Sequence, residues 1–133
     1  MALPTGSGSE RVGRGTVNDQ SNTATAFKWD FSSGVFTEPT TGTSSYVVPA
    51  LHLITVLNVT FQNASGSDEE LIYMKLYNGA NDIMLLNAQP LPPVGTFIYS
   101  DKIILHPADK IIVFLGSAGN VDISYHFIDQ DFS

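Results

Sequence analysis

The groups in this sequence whose types could do chemistry are three histidines, one acidic run and a set of fourteen aromatics (eight Phe, five Tyr and one Trp). A hydrolytic triad needs a hydroxyl, an imidazole and a carboxylate converging at hydrogen-bond reach. His52 follows Pro49-Ala50-Leu51 ahead of a strand, His106 precedes Pro107 at a turn, and His126 sits in mid-strand. They share no spacing, and no G-x-S-x-G elbow accompanies them. Asp68-Glu69-Glu70 could hold calcium if another loop supplied oxygens, but it reads better as a solvated acidic turn. H-E-x-x-H and the EF-hand pattern are missing. Asp101-Lys102 and Asp109-Lys110 carry their own counter-charges, and no motif pairs carboxylates for glycoside hydrolysis. Gly6-x-Gly8 lacks the strand-to-helix setting of a phosphate loop. The sequence therefore assigns no catalytic, cofactor-binding or metal-binding residue, and the chain is expected not to be an enzyme.

The elements that would have to position any site are strands. From Ala26 onward the hydrophobic period is two. Phe27, Trp29 and Phe31 alternate with Lys28 and Asp30, and Tyr46-Val47-Val48 ends at Pro49. Leu53 to Gln62, Leu71 to Tyr77, Ile83 to Leu86, Thr96 to Leu105, Lys110 to Leu115 and Val121 to Ile128 all read as strands. Asn78-Gly79 is a hairpin turn signal. Gln89-Pro90-Leu91-Pro92-Pro93 cannot sit in a central strand, because three of its positions lack an N–H donor. No segment shows a convincing amphipathic helix. About eight strands at this spacing predict an all-β chain, an antiparallel two-sheet β-sandwich of jelly-roll or Ig-like type. In the last strand Val121, Ile123, Tyr125 and Phe127 share a face that should be buried.

Composition bounds the partners. The chain has 133 residues, which suits one domain. Zero Cys excludes a disulfide scaffold and thiol chemistry. A net charge of −7 disfavours nucleic acid and anionic membrane as partners. Only 14% of residues are charged, and Ser, Thr, Asn and Gln take up the polar share. The first residues show no signal-peptide pattern, and no apolar run is long enough for a transmembrane helix. Asn58-Val59-Thr60 and Asn63-Ala64-Ser65 match the glycosylation pattern and are read as chance.

Residues 1–26 differ from the rest, holding Gly6, Gly8, Gly13 and Gly15 with few large apolar residues. They carry Arg11 and Arg14 against Glu10 and Asp19, whereas residues 27–133 hold four bases and eleven acids. The expected division is an extended, flexible N-terminal arm (1–26) and a β-sandwich body (27–133). An arm of this kind would order against a neighbouring subunit. Most aromatics alternate into the core. Trp29 and Phe132 are the rings left as surface candidates, the latter as the apolar anchor of the acidic tail Asp129 to Ser133.

Met1-Ala2-Leu3-Pro4-Thr5-Gly6-Ser7-Gly8-Ser9-Glu10 resembles the start of small virion structural proteins of tailed bacteriophages. Tyr46-Val47-Val48-Pro49 followed by Ile54-Thr55-Val56 is similar to their strand–Pro–strand pattern. So are Gly95 to Lys102, Ala108 to Ile111 and Asn120 to Tyr125. The resemblance lies in turn and strand punctuation rather than in chemistry. It implies a capsid decoration, or cement, protein that binds the outer surface of the major capsid protein shell and stabilises it. On that reading the protein is made in the host cytoplasm and resides in the virion, on the capsid surface. It self-associates there into a dimer or trimer. The residues expected to meet partners are Leu3, Arg11, Val12, Arg14, Val17, Trp29 and Phe132. The alternative is a tail or fibre-associated module that binds host glycan or another tail protein.

Overall fold

The computed structural model describes residues 9–27, 29, 47, 48 and 50–132. Nine strands are assigned: β1 (Ser9–Gln20), β2 (Thr25–Ala26), β3 (His52–Asn63), β4 (Glu70–Tyr77), β5 (Asp82–Leu91), β6 (Thr96–Tyr99), β7 (Ile103–Leu105), β8 (Lys110–Leu115) and β9 (Val121–Asp131). They form a five-stranded sheet, A, in the order β1-β9-β3-β6 with β7 also on β3. A four-stranded sheet, B, has the order β2-β8-β4-β5. Every pairing is antiparallel.

The pairing has a simple origin. The chain runs out along β1 to β4, reverses at the Asn78-Gly79 hairpin, where Gly79 holds φ +92°, and returns along β5 to β9. Each returning strand pairs with its outgoing counterpart: β5 on β4, β6 and β7 on β3, β8 on β2, and β9 on β1. Successive pairs fall alternately in sheets B and A. The β9–β3 and β8–β4 contacts then close each sheet. This is the jelly-roll solution of the two sandwich types expected. With β6 and β7 taken as one strand broken at Ser100 to Lys102, it has eight strands.

Alternation supplies the core. Ile54, Val56, Val59 and Phe61 of β3 and Val121, Ile123, Tyr125 and Phe127 of β9 are buried against Ile72, Met74, Ile111, Val113 and Leu115 of sheet B. A register shift between Val56 and Asn58 keeps both halves of β3 in phase with the interior. At one end of the core, Phe27 lies parallel on Tyr125 at 4.0 Å, and Trp29 stands edge-on to Phe27, Tyr125 and Phe127 at 6.1, 5.6 and 5.0 Å.

Several elements differ from the sequence expectation. Residues 9–20, expected in the arm, are a strand laid along β9 of the same chain from Ser9↔Asp131 onward. Gly15 has a packing reason: it is buried, and a Cβ there would overlap the Tyr125 ring, which covers it. Residues 21–26, also expected in the arm, hold β2, which pairs with β8 and buries Ala26. Residues 1–8, with Leu3, lie outside the described residues, as does Phe31. Pro90 is inside β5, which is possible because β5 is an edge strand. The acidic tail belongs to β9: Asp129 is buried and pairs with Ile54.

Candidate functional site

Residues directly opposite in an antiparallel sheet share a face, so the register gives the solvent face of sheet A row by row. One row is Val12, Ile128, Thr55 and Ile104, crossing β1, β9, β3 and β7. The next is Arg14, His126 and Asn58, in which the His126 Nδ1–H donates to Asn58 Oδ1 at 3.0 Å. Then come Thr16, Ser124, Thr60 and Ile98, followed by Asp122, Gln62 and Thr96. Thr96 Oγ1 donates to Gln62 Oε1, and Gln62 Nε2 donates to Val94 O at 3.1 Å. The face is thus made of β-branched, hydroxyl and amide side chains with isolated charges. Three of its apolar members stand in water, Val12 at 76% exposure, Ile104 at 62% and Ile98 at 58%, while Ile128 is half-buried between them.

A shallow groove of about 380 Å³ opens at one end of this face, walled by Thr16, Asn18, Thr60, Gln62, Asp122 and Ser124. It exists because β1 bulges away from β9 between Val17 and Gln20. Asp19 takes a left-handed φ of 54° there, and its N–H donates to Asp122 Oδ1 at 3.0 Å.

The solvent face of sheet B has different chemistry. Tyr73 and Phe114 stack across β4 and β8 at 4.8 Å with an interplanar angle of 1°. The Lys75 ammonium lies 5.8 Å from the Phe114 centroid, and the Lys110 ammonium 4.9 Å from that of Tyr77. Lys75 also pairs with Asp82 at 3.0 Å.

An ionic cluster closes one end of sheet A. The His52 Nδ1–H donates to the buried Asp129 Oδ1 at 2.8 Å, and the Arg11 guanidinium lies 3.4 Å from Asp129 Oδ2. His52 Nε2 faces Asp131 at 3.4 Å. In a triad that nitrogen would address a nucleophile; here it addresses a second carboxylate. The cluster ties β1, β3 and β9 together. His106 and Asp109 form a separate turn, where the His106 N–H donates to Asp109 Oδ2 at 2.9 Å. The three histidines are therefore not brought together. Glu70 is buried and accepts from Ser117 Oγ at 3.2 Å, while Asp68 and Glu69 are exposed. Among the described residues no His, Asp and Glu side chains are grouped to hold a metal ion. Asn63, in one glycosylation pattern, is buried, with its amide N–H groups donating to Asp68, Leu91 and Pro92 carbonyls.

Of the residues expected to meet partners, Arg11, Val12 and Arg14 are exposed on β1. Val17 and Trp29 are corrections: at 2% and 7% exposure they are core residues, Val17 because it falls on the inward phase of β1. Phe132 is half-buried, and its N–H donates to Leu51 O at 2.9 Å, so it extends the end of sheet A rather than projecting from it. The sequence reading missed Thr55, Ile98, Ile104 and Ile128. Their signal was present: each is a β-branched residue in the outward phase of a strand.

No protein-family model and no curated protein matches the sequence. Among solved structures, a chain of the disulfide-linked pili of Bacillus endospore appendages is 10% identical with TM-score 0.46, covering 100% of this chain and 97% of that one. A pentameric capsid protein from metagenomic phage sequences is 13% identical with TM-score 0.38, covering 87% and 64% respectively. A chain of infectious bursal disease virus, Gx strain, is 12% identical with TM-score 0.45, covering 92% and 32%. At these values the likenesses assign neither family nor function.

Proposed function

We propose that this jelly roll is a non-enzymatic structural protein of a phage particle, a capsid decoration protein that seats the solvent face of sheet A on the major capsid protein. The observation that carries the reading is the row Val12, Ile128, Thr55 and Ile104, an apolar stripe across four strands with its ends in water. Exposed apolar groups contiguous over a sheet face mark contact surfaces, and hydroxyls and amides around them can pair with a partner at little desolvation cost compared with charges. Repetition over many identical sites multiplies modest contacts into avidity.

The test is direct. Labelled protein added to particles should decorate heads, and Ile104→Asp and Thr55→Asp should each weaken binding roughly tenfold or more, the range of a central interface contact. Label confined to tails, or full binding by both variants, would overturn the reading. The competing glycan-binding module needs open ring faces. What weighs against it is that Tyr73 and Phe114 occupy one another's faces and Lys110 approaches that of Tyr77. Specific retention of a sugar on a glycan array would favour that module instead.

A further inference from the structure

The four sheet edges are not alike. β2 is only two residues long. β6 and β7 have four and three residues and are separated by Ser100, Asp101 and Lys102. β5 contains Pro90, a left-handed Ala88 at φ 58° and two register shifts against β4. Shortness, proline, charge and irregularity are the devices that stop an edge from pairing with another chain. β1 has twelve residues and no Pro, it runs without a register shift from Ser9 to Val17 before its bulge, and its charges, Glu10, Arg11, Arg14 and Asp19, are of both signs, so they can pair across a two-fold instead of repelling a second strand. Its other side has no strand partner among the described residues. Val12, on this strand, is at 76% the most exposed large hydrophobic residue described.

We infer that β1 pairs antiparallel with β1 of a second copy of this chain, with Val12 opposite its own equivalent. The register follows from the charges. Glu10, Val12, Arg14 and Thr16 share the solvent face of the strand. Centring the two-fold on Val12 sets Glu10 opposite the second copy's Arg14 at both ends, two opposite-charge cross-strand pairs around an apolar centre. A shift of two residues one way sets Arg11 against Arg11, and the other way Gly13 against Gly13; both separate Glu10 from Arg14. Odd shifts place the solvent face of one strand beside the inner face of the other. The row Ile104-Thr55-Ile128-Val12 then continues unbroken into the second copy, so the dimer doubles the apolar stripe. This deepens the assembly reading by naming one of its contacts, and it rests on that reading for the use of the stripe.

Sedimentation of the full chain should show a monomer–dimer equilibrium. Glu10→Arg and Arg14→Glu each place like charges opposite at both ends and should weaken the dimer roughly tenfold. Mixed together, the two variants restore both pairs, so a heterodimer should re-form. Because the chain has no Cys, Val12→Cys under a mild oxidant should give a covalent dimer, since opposite Cα atoms lie within disulfide reach. A wild-type chain that stays monomeric, or a dimer indifferent to charge reversal and not cross-linked through position 12, overturns the inference. Circular dichroism separates these outcomes from misfolding. Capsid binding read through Thr55 and Ile104 fails or survives independently, so loss of one proposal does not decide the other.

Discussion

Gly15, His52 and Tyr99 are where single groups can be weighed. A methyl on Gly15 has to displace Tyr125, itself held flat against Phe27. Gly15→Ala should therefore cost about 3 kcal/mol, the upper range for overpacking a core, read as a lowered urea midpoint. The Asp129 cluster separates a buried from an exposed partner. His52→Ala removes a short bond to a buried carboxylate and should cost about 2 kcal/mol. Arg11, half exposed and 3.4 Å away, should cost under about 1 kcal/mol when changed to Ala. Equal losses in a denaturation series would contradict that ranking. Burial, and then the Asp101 charge, raise the pKa of Tyr99 above its ordinary 10.0. The folded state then holds the phenol proton after the unfolded state has released it. Stability from this group is complete below pH 10.0 and is lost as pH rises through the higher folded value. Tyr99→Phe should flatten that alkaline loss in pH-dependent melting.

At the scale of elements, β1 and its neighbours decide how the N-terminal segment behaves. An arm could be removed without harm to the body. A strand that buries Val17 and Gly15 and covers the whole length of β9 cannot. Deleting residues 1–20 should leave β9 as a bare edge beside exposed core, and the product should aggregate or melt at a markedly lower temperature by circular dichroism and light scattering. A truncated chain that folds normally would restore the arm reading. The strands from β3 to β9 were largely legible, because Val, Ile and aromatic residues alternate in them with turn residues between. β1 was not, since its inward positions carry Gly13 and Gly15, which have no side chain to register in a hydrophobic period. Thr96 to Leu105 was read as one strand, but Ser100, Asp101 and Lys102 interrupt its apolar alternation, with Asp101 on the phase of Phe97, Tyr99, Ile103 and Leu105, and the two pieces pair separately with β3.

For the molecule as a whole, the two central strand pairs, β3–β9 and β4–β8, lie under the core and inside both sheets. Their amides should be the last to exchange with solvent, after those of β1, β2 and β5 at the edges; uniform exchange would argue against this ordering. The amino-acid sequence determined the all-β class, most strand positions and the inward set of β9, because period-two alternation is a local property of the chain. The tertiary structure alone decided that the sandwich is a jelly roll, that Val17 and Trp29 are core, and that Val12, Ile128, Thr55 and Ile104 form one row. Those facts depend on which distant strands pair and in what register. Backbone hydrogen bonds that fix such pairing are the same for every residue type but proline, so the sequence of one strand does not announce its neighbour.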